Sequence, residues 1–149
     1  AAAHYPDGTI ASLRRAKRAA LAGDADAALP ELLRAVSRGY NRFDQLEADP
    51  AWDAVREDAR FRALVREIAA GWIESGRHRQ GATQTELRAI AQAHVVREEY
   101  AEALRSYEAA LAAGGPDDAA IREEIRAVQE ALASGDPRVR VRLGAAGED

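Results

Sequence analysis

The chain of 149 residues contains no cysteine and no methionine. That removes disulfide frameworks, thiolate zinc sites and cysteine nucleophiles together, and it leaves the redox compartment open. The three histidines, His4, His78 and His94, show neither HxxxH nor HExxH spacing, so no metal site is expected. No apolar run approaches the roughly 20 residues that cross a bilayer, and there is no signal-peptide core, so membrane insertion is not expected. Large apolar residues are scarce as well. Leu, Ile, Val and Phe together number 28, just under the one-fifth level at which disorder becomes an option. Disorder also requires a high net charge, and here 25 acidic residues nearly balance 21 basic ones, for a formal charge of -4.

The same balance argues against nucleic acid as a partner. Arg14, Arg15, Lys17 and Arg18 cluster, but Glu98-Glu99, Asp117-Asp118 and Glu123-Glu124 are interspersed, and phosphate affinity needs a net basic surface. No GxSxG, P-loop or dinucleotide fingerprint is present, and the paired carboxylates lack a glycine-rich or strand-end context that would bury them and shift their pKa. No enzymatic activity and no cofactor are therefore expected.

What is abundant is alanine, at 36 residues about a quarter of the chain. Alanine has the best helix propensity and lets two helix axes approach closely, so the expected fold class is all-α. Apolar residues at helical spacing predict a helix over Thr9 to Ala22, carrying Ile10, Leu13, Ala16, Ala20 and Leu21, then a turn at Gly23-Asp24. A second helix carries Ala28, Leu29, Leu32, Leu33 and Val36 and ends at Gly39. Pro30 is tolerated only near a first turn, which favours a start near Asp26 as N-cap. Two short helices follow, Phe43 to Ala48 and Pro50 to Arg56, the second capped by Asp49. A longer helix runs from Ala59 to about Glu74, and Gly76 is expected to end it. Residues 76–83 have no periodicity and read as an exposed connection. Helices over Gln84 to Val96 and Tyr100 to Ala113 follow, then one capped by Asp117 or Asp118 that reaches Ser134.

Phe43, Trp52, Phe61 and Trp72 supply most of the bulk and are expected to anchor the firmest core. His94 is expected to pack without an acidic partner, and Arg56 and Arg60 to serve as surface partners of Asp53 and Glu57. After Pro137, Val139, Val141 and Leu143 alternate with Arg138, Arg140 and Arg142. Period two means an extended tail, which either pairs outside the helical body or lies disordered.

Two segments of the sequence match in columns. The turn Gly23-Asp24, Ala28-Leu29, Leu32 and Ala35 align with Glu98-Glu99, Ala103-Leu104, Tyr107 and Ala110, and upstream Ala16 aligns with Ala91. These columns resemble the tetratricopeptide repeat (TPR), a helix-turn-helix unit of about 34 residues with a small residue midway along its first helix. The stretch from Tyr40 to Ile68 is similar to the terminal segment that follows the last repeat in bacterial members. The matched units lie too far apart in sequence to stack as adjacent copies. The resemblance implies antiparallel helical hairpins stacked as an α-α array: residues 9–75 as the first hairpin plus terminal-type helices, 84–134 as the second hairpin plus a capping helix, and 135–149 as the tail. It also implies a concave face made by the first helix of each unit, where Lys17, Leu21, Arg88, Gln92 and Val96 are the partner-binding candidates.

The expected function is thus a non-enzymatic scaffold that binds a peptide segment or a helix of another protein in a helical groove. A self-assembling subunit, with Val139, Val141 and Leu143 as the assembly tail forming a homo-oligomer or filament, is one alternative. An accessory helical domain of a larger enzyme is another. A chain starting Ala1-Ala2-Ala3-His4-Tyr5-Pro6 is either excised or trimmed from a longer one or a mature product cut after small residues, and the latter makes a periplasmic or secreted location the expectation over the cytoplasm.

Overall fold

The computed structural model describes residues 8–77, 80–136, 138–141 and 143, so readings that touch His4, His78, Arg79, Pro137, Arg142 and residues 144–149 lie outside the described residues. Among the described residues the chain is all-helical and holds no strand. Its elements are α1 (Thr9–Leu21), α2 (Ala25–Ser37), α3 (Phe43–Ala48), a 3-10 turn (Pro50–Trp52), α4 (Ala59–Arg77), α5 (Gln84–Val96), α6 (Tyr100–Ala113) and α7 (Asp118–Ser134). None of these helices is long and apolar enough to cross a membrane. The chain divides into two compact units after Val65, inside α4 and not at the 76–83 connection.

In the first unit α1 packs against α2, and the residues they bury include Ala16 and Ala20 on one helix and Ala28, Leu32 and Ala35 on the other. The α2 cap is Asp24, whose carboxylate accepts the Ala27 N–H at 3.0 Å, so the helix begins earlier than Pro30 alone suggests. Asp26, expected as the cap, instead lies in the first turn and pairs with Arg60 at 3.0 Å. Asp49 caps the 3-10 turn, accepting the Ala51 N–H at 2.9 Å with Pro50 at the first position. The helix expected from Pro50 to Arg56 stops at Trp52 and gives way to turns. Arg56 is the physical reason. Its guanidinium is buried, pairs with Asp53 and donates to the carbonyl oxygens of Leu46 and Asp49 at 3.3 and 2.7 Å, which gathers the last turn of α3, its C-cap and the turn after the 3-10 segment around one cation. Trp52 is fully buried, its ring 5.7 Å from that of Phe61.

In the second unit α4 runs on to Arg77, straight through Gly76. This glycine is a point of close approach, not a stop: a Cβ there would overlap Ile90 Cδ1 on α5. Trp72 is half-buried and not the core anchor expected of it, so the bulky aromatic core sits in the first unit, on Phe43, Trp52 and Phe61. The α5–α6 hairpin buries Ala91, Ala103, Tyr107 and Ala110 completely. α7 packs on α6 and buries Ile121, Val128 and Ala131.

The two hairpins share one turn. In the first, the N–H groups of Gly23 and Asp24 donate to the carbonyls of Ala20 and Ala19 at 2.9 and 3.0 Å. In the second, those of Glu98 and Glu99 donate to Val95 and His94, both at 2.9 Å. Both turns need a left-handed residue at the same column, where Gly23 has φ 76° and Glu98 φ 60°. Glycine adopts that region freely, whereas glutamate carries a Cβ penalty.

Candidate functional site

The five partner-binding candidates occupy different settings. On α1, Leu21 stands out at 69% exposure, while Lys17 pairs with Asp49 at 3.1 Å along one edge of the same helix. In the second unit Arg88 and Gln92 do not form an open face. Glu124 of α7 takes them both, accepting from Arg88 Nε and from Gln92 Nε2 at 3.2 Å, and Arg88 Nη2 also reaches it. The Tyr107 hydroxyl donates to the same carboxylate at 2.9 Å, and Asp117 lies 3.5 Å from Arg88. Bonding to Glu124 raises the Arg88 pKa, and burial raises that of Tyr107 further than the neighbouring carboxylate does. This cluster fastens α7 to the α5–α6 hairpin. Val96 beside it is half-buried.

Gln84 is a second fastener that periodicity did not reveal. Its amide is buried, with Nε2 donating to Ala110 O and Asp118 Oδ1 at 3.2 and 2.6 Å and Oε1 accepting the Asp117 N–H at 2.9 Å. Thr83 caps the same helix in a Thr-x-x-Glu box with Glu86, a signal that is visible in the sequence.

The expected free arm is not free over its described part. Val141 donates its N–H to the Tyr100 hydroxyl at 3.3 Å, and Leu143 is only 5% exposed, so the described part of the tail is held by its own unit at Val141. Val139 remains exposed. Burial is the main cause of a raised Tyr100 pKa, partly offset by the Val141 bond.

Beside Tyr100 opens a cleft of about 560 Å³, walled by α4, the end of α5 and the start of α6. Ala70, Ile73 and Ala101 contribute apolar surface, Glu74, Arg77, Arg97, Glu99 and Glu102 contribute charge of both signs, and His94 contributes a polar ring. Glu99 joins the walls. Its Oε1 lies 2.9 Å from His94 Nδ1 and 3.4 Å from Arg97 Nε, which gives His94 the acidic partner that its own helix face did not promise. The partner comes from the turn, because the left-handed Glu98 swings Glu99 back beside the end of α5. Arg97 also donates to the Arg66 carbonyl at 3.3 Å, tying α4 to the same corner. Among the described residues no group of three or more His, Asp or Glu side chains is placed to hold a metal ion.

Comparison with family models, with curated proteins and with solved structures finds no match to this chain.

Proposed function

We propose that the protein is a non-enzymatic interaction module of tetratricopeptide type, which binds a segment of another protein in the cleft between α4, α5 and α6. The observation that carries this reading is the cleft itself: about 560 Å³, an apolar strip of Ala70, Ile73 and Ala101, and flanking groups of both signs. Its volume lies within the range of ligand pockets, and a small apolar patch among ionisable groups of both signs suits a polar, amphipathic peptide. Glu99 is tied to both His94 and Arg97, which orients the groups at the α5 end of the wall. The shared hairpin turn and the buried alanine columns support the family reading.

The test is a peptide-display selection on the intact chain, followed by titration of the selected peptides against wild type and Ala101→Arg. Ala101 is exposed in the first turn of α6, so arginine fills the cleft without touching the core. Loss of binding with unchanged thermal unfolding supports the reading. Equal binding by the variant, or failure of any sequence to be enriched, removes it.

A further inference from the structure

The first helix carries four basic residues, Arg14, Arg15, Lys17 and Arg18, and no acidic one. Two of the four are engaged, Arg15 with Glu31 at 2.7 Å and Lys17 with Asp49 at 3.1 Å. Arg14 and Arg18 have no partner among the described residues, and they lie one helical turn apart on the exposed face. At either end of that face stands a large apolar side chain turned to solvent, Ile10 at 45% and Leu21 at 69% exposure. At 100° per residue Ile10 and Leu21 fall within about 20° of each other around the helix, and Arg14 and Arg18 within about 80°, so the four share one face. The apolar anchors are eleven residues and about 16 Å apart along the axis.

We infer that this face of α1 is a second docking surface, separate from the cleft, and that it fits an acidic amphipathic helix of another protein. Charge complementarity selects the occupant. Two unpaired guanidinium groups between two apolar anchors are matched by two carboxylates one turn apart, flanked by apolar residues eleven positions apart on the partner. An anionic membrane would offer charge too, but an interfacial helix needs a continuous apolar arc to enter the bilayer. The apolar arc of α1, Leu13, Ala16 and Ala20, is buried against its own unit. What remains outside is two isolated anchors, and these suit side chains meeting one by one across a helix pair.

The experiment uses the intact chain and a synthetic helical peptide of alanine and glutamine. The peptide carries two leucines eleven residues apart with two glutamates one turn apart between them; a control peptide has lysine in place of glutamate. Fluorescence anisotropy reads binding, and thermal unfolding followed by circular dichroism confirms that each variant is folded. The expected result is binding of the glutamate peptide only, weakened at least tenfold by Arg14→Glu with Arg18→Glu and, separately, by Leu21→Ser. The charge-reversed variant should gain the lysine peptide. No binding of the glutamate peptide, or equal binding by the folded variants, overturns the proposal. So does co-sedimentation with anionic phospholipid vesicles in preference to the peptide. Ala101→Arg leaves this binding intact, which separates the failure of one surface from the failure of the other.

Discussion

Removing the Glu124 carboxylate should expose how much of the second unit depends on a single acceptor. Glu124 is reached by Arg88, Gln92 and Tyr107, and its side chain is 14% exposed against 26% for Arg88. The Tyr107 hydroxyl is buried, so in Glu124→Ala it loses its acceptor with no water to replace it, while Arg88, being more open, regains part of its hydration. A hydrogen bond to a charged group contributes about 1.5–3 kcal/mol, and a partly exposed ion pair about 1 kcal/mol or less. Glu124→Ala is therefore expected to cost about 3 kcal/mol. Tyr107→Phe is expected to cost about 1.5 kcal/mol, because the carboxylate keeps Arg88 and Gln92. The double variant should cost less than the sum by about 1–2 kcal/mol, since without the hydroxyl nothing is left orphaned when the carboxylate goes. Urea unfolding followed by circular dichroism measures all four free energies. Additivity within about 0.5 kcal/mol would mean that the bond drawn between Tyr107 and Glu124 stabilises nothing, and the account of how α7 is held would fail.

Ala91 is fully buried where α5 meets α6, and Ala109 is exposed on α6 beside the buried Ala110. Ala91→Leu should destabilise by about 1–3 kcal/mol through overpacking and Ala109→Leu by less than about 0.5 kcal/mol, both read by urea unfolding. At the shared turn, Glu98→Gly should stabilise by about 0.5 kcal/mol as the left-handed penalty is relieved, and Gly23→Ala should destabilise by about 1 kcal/mol; the same unfolding measurement decides both. Asp58 is bonded by the Arg60 side chain and backbone, which lowers its pKa to about 2. Its contribution is full above the unfolded carboxylate value and lost as the pH falls through about 2, and carboxyl NMR should find that midpoint. Tyr107, whose pKa is raised, should keep its proton above pH 10 in the folded chain, so alkaline difference spectra should show it ionising only as the protein unfolds.

The hairpins were legible because alanine spacing and helix packing are both local facts. Ala16, Ala28 and Ala35, and Ala91, Ala103 and Ala110, recur at one spacing, and a position that must let two backbones approach can hold little else. Gly23 and Glu98 align in the sequence as unlike residues, yet they adopt the same conformation because the bonds from the turn to the preceding helix are made by backbone. Bounds of α5 and α6 follow from the same logic. The end of α4 does not, since Gly76 carries two opposite meanings: a helix stop in isolation, and a contact point when Ile90 lies across it.

Charges were the part that could not be read, and the reason is reach. An arginine or glutamate spans several ångströms, so its partner is set by which helices come together and not by its neighbours in sequence. Arg56 looks like a surface residue beside Asp53 but gathers the carbonyls of Leu46 and Asp49; Arg88 looks like a binding residue but belongs to Glu124, 36 positions on. The resemblance placed Arg88 and Gln92 on an open face because the first helix of a repeat usually has one, and α7 supplies the acid that occupies them. The physical criterion for an available cation is therefore that its own helix holds no acid and that each acid reaching it from a packed element is already held by another base. Arg14 and Arg18 meet it among the described residues: α1 has no acidic residue, and the acids that pair with it there, Glu31 and Asp49, are held by Arg15 and Lys17. Removing those acids should then leave the Arg14 and Arg18 face as it is, while restoring an acid within that face, as in Ala11→Glu, should engage Arg14 one turn away and abolish the affinity for an acidic helix.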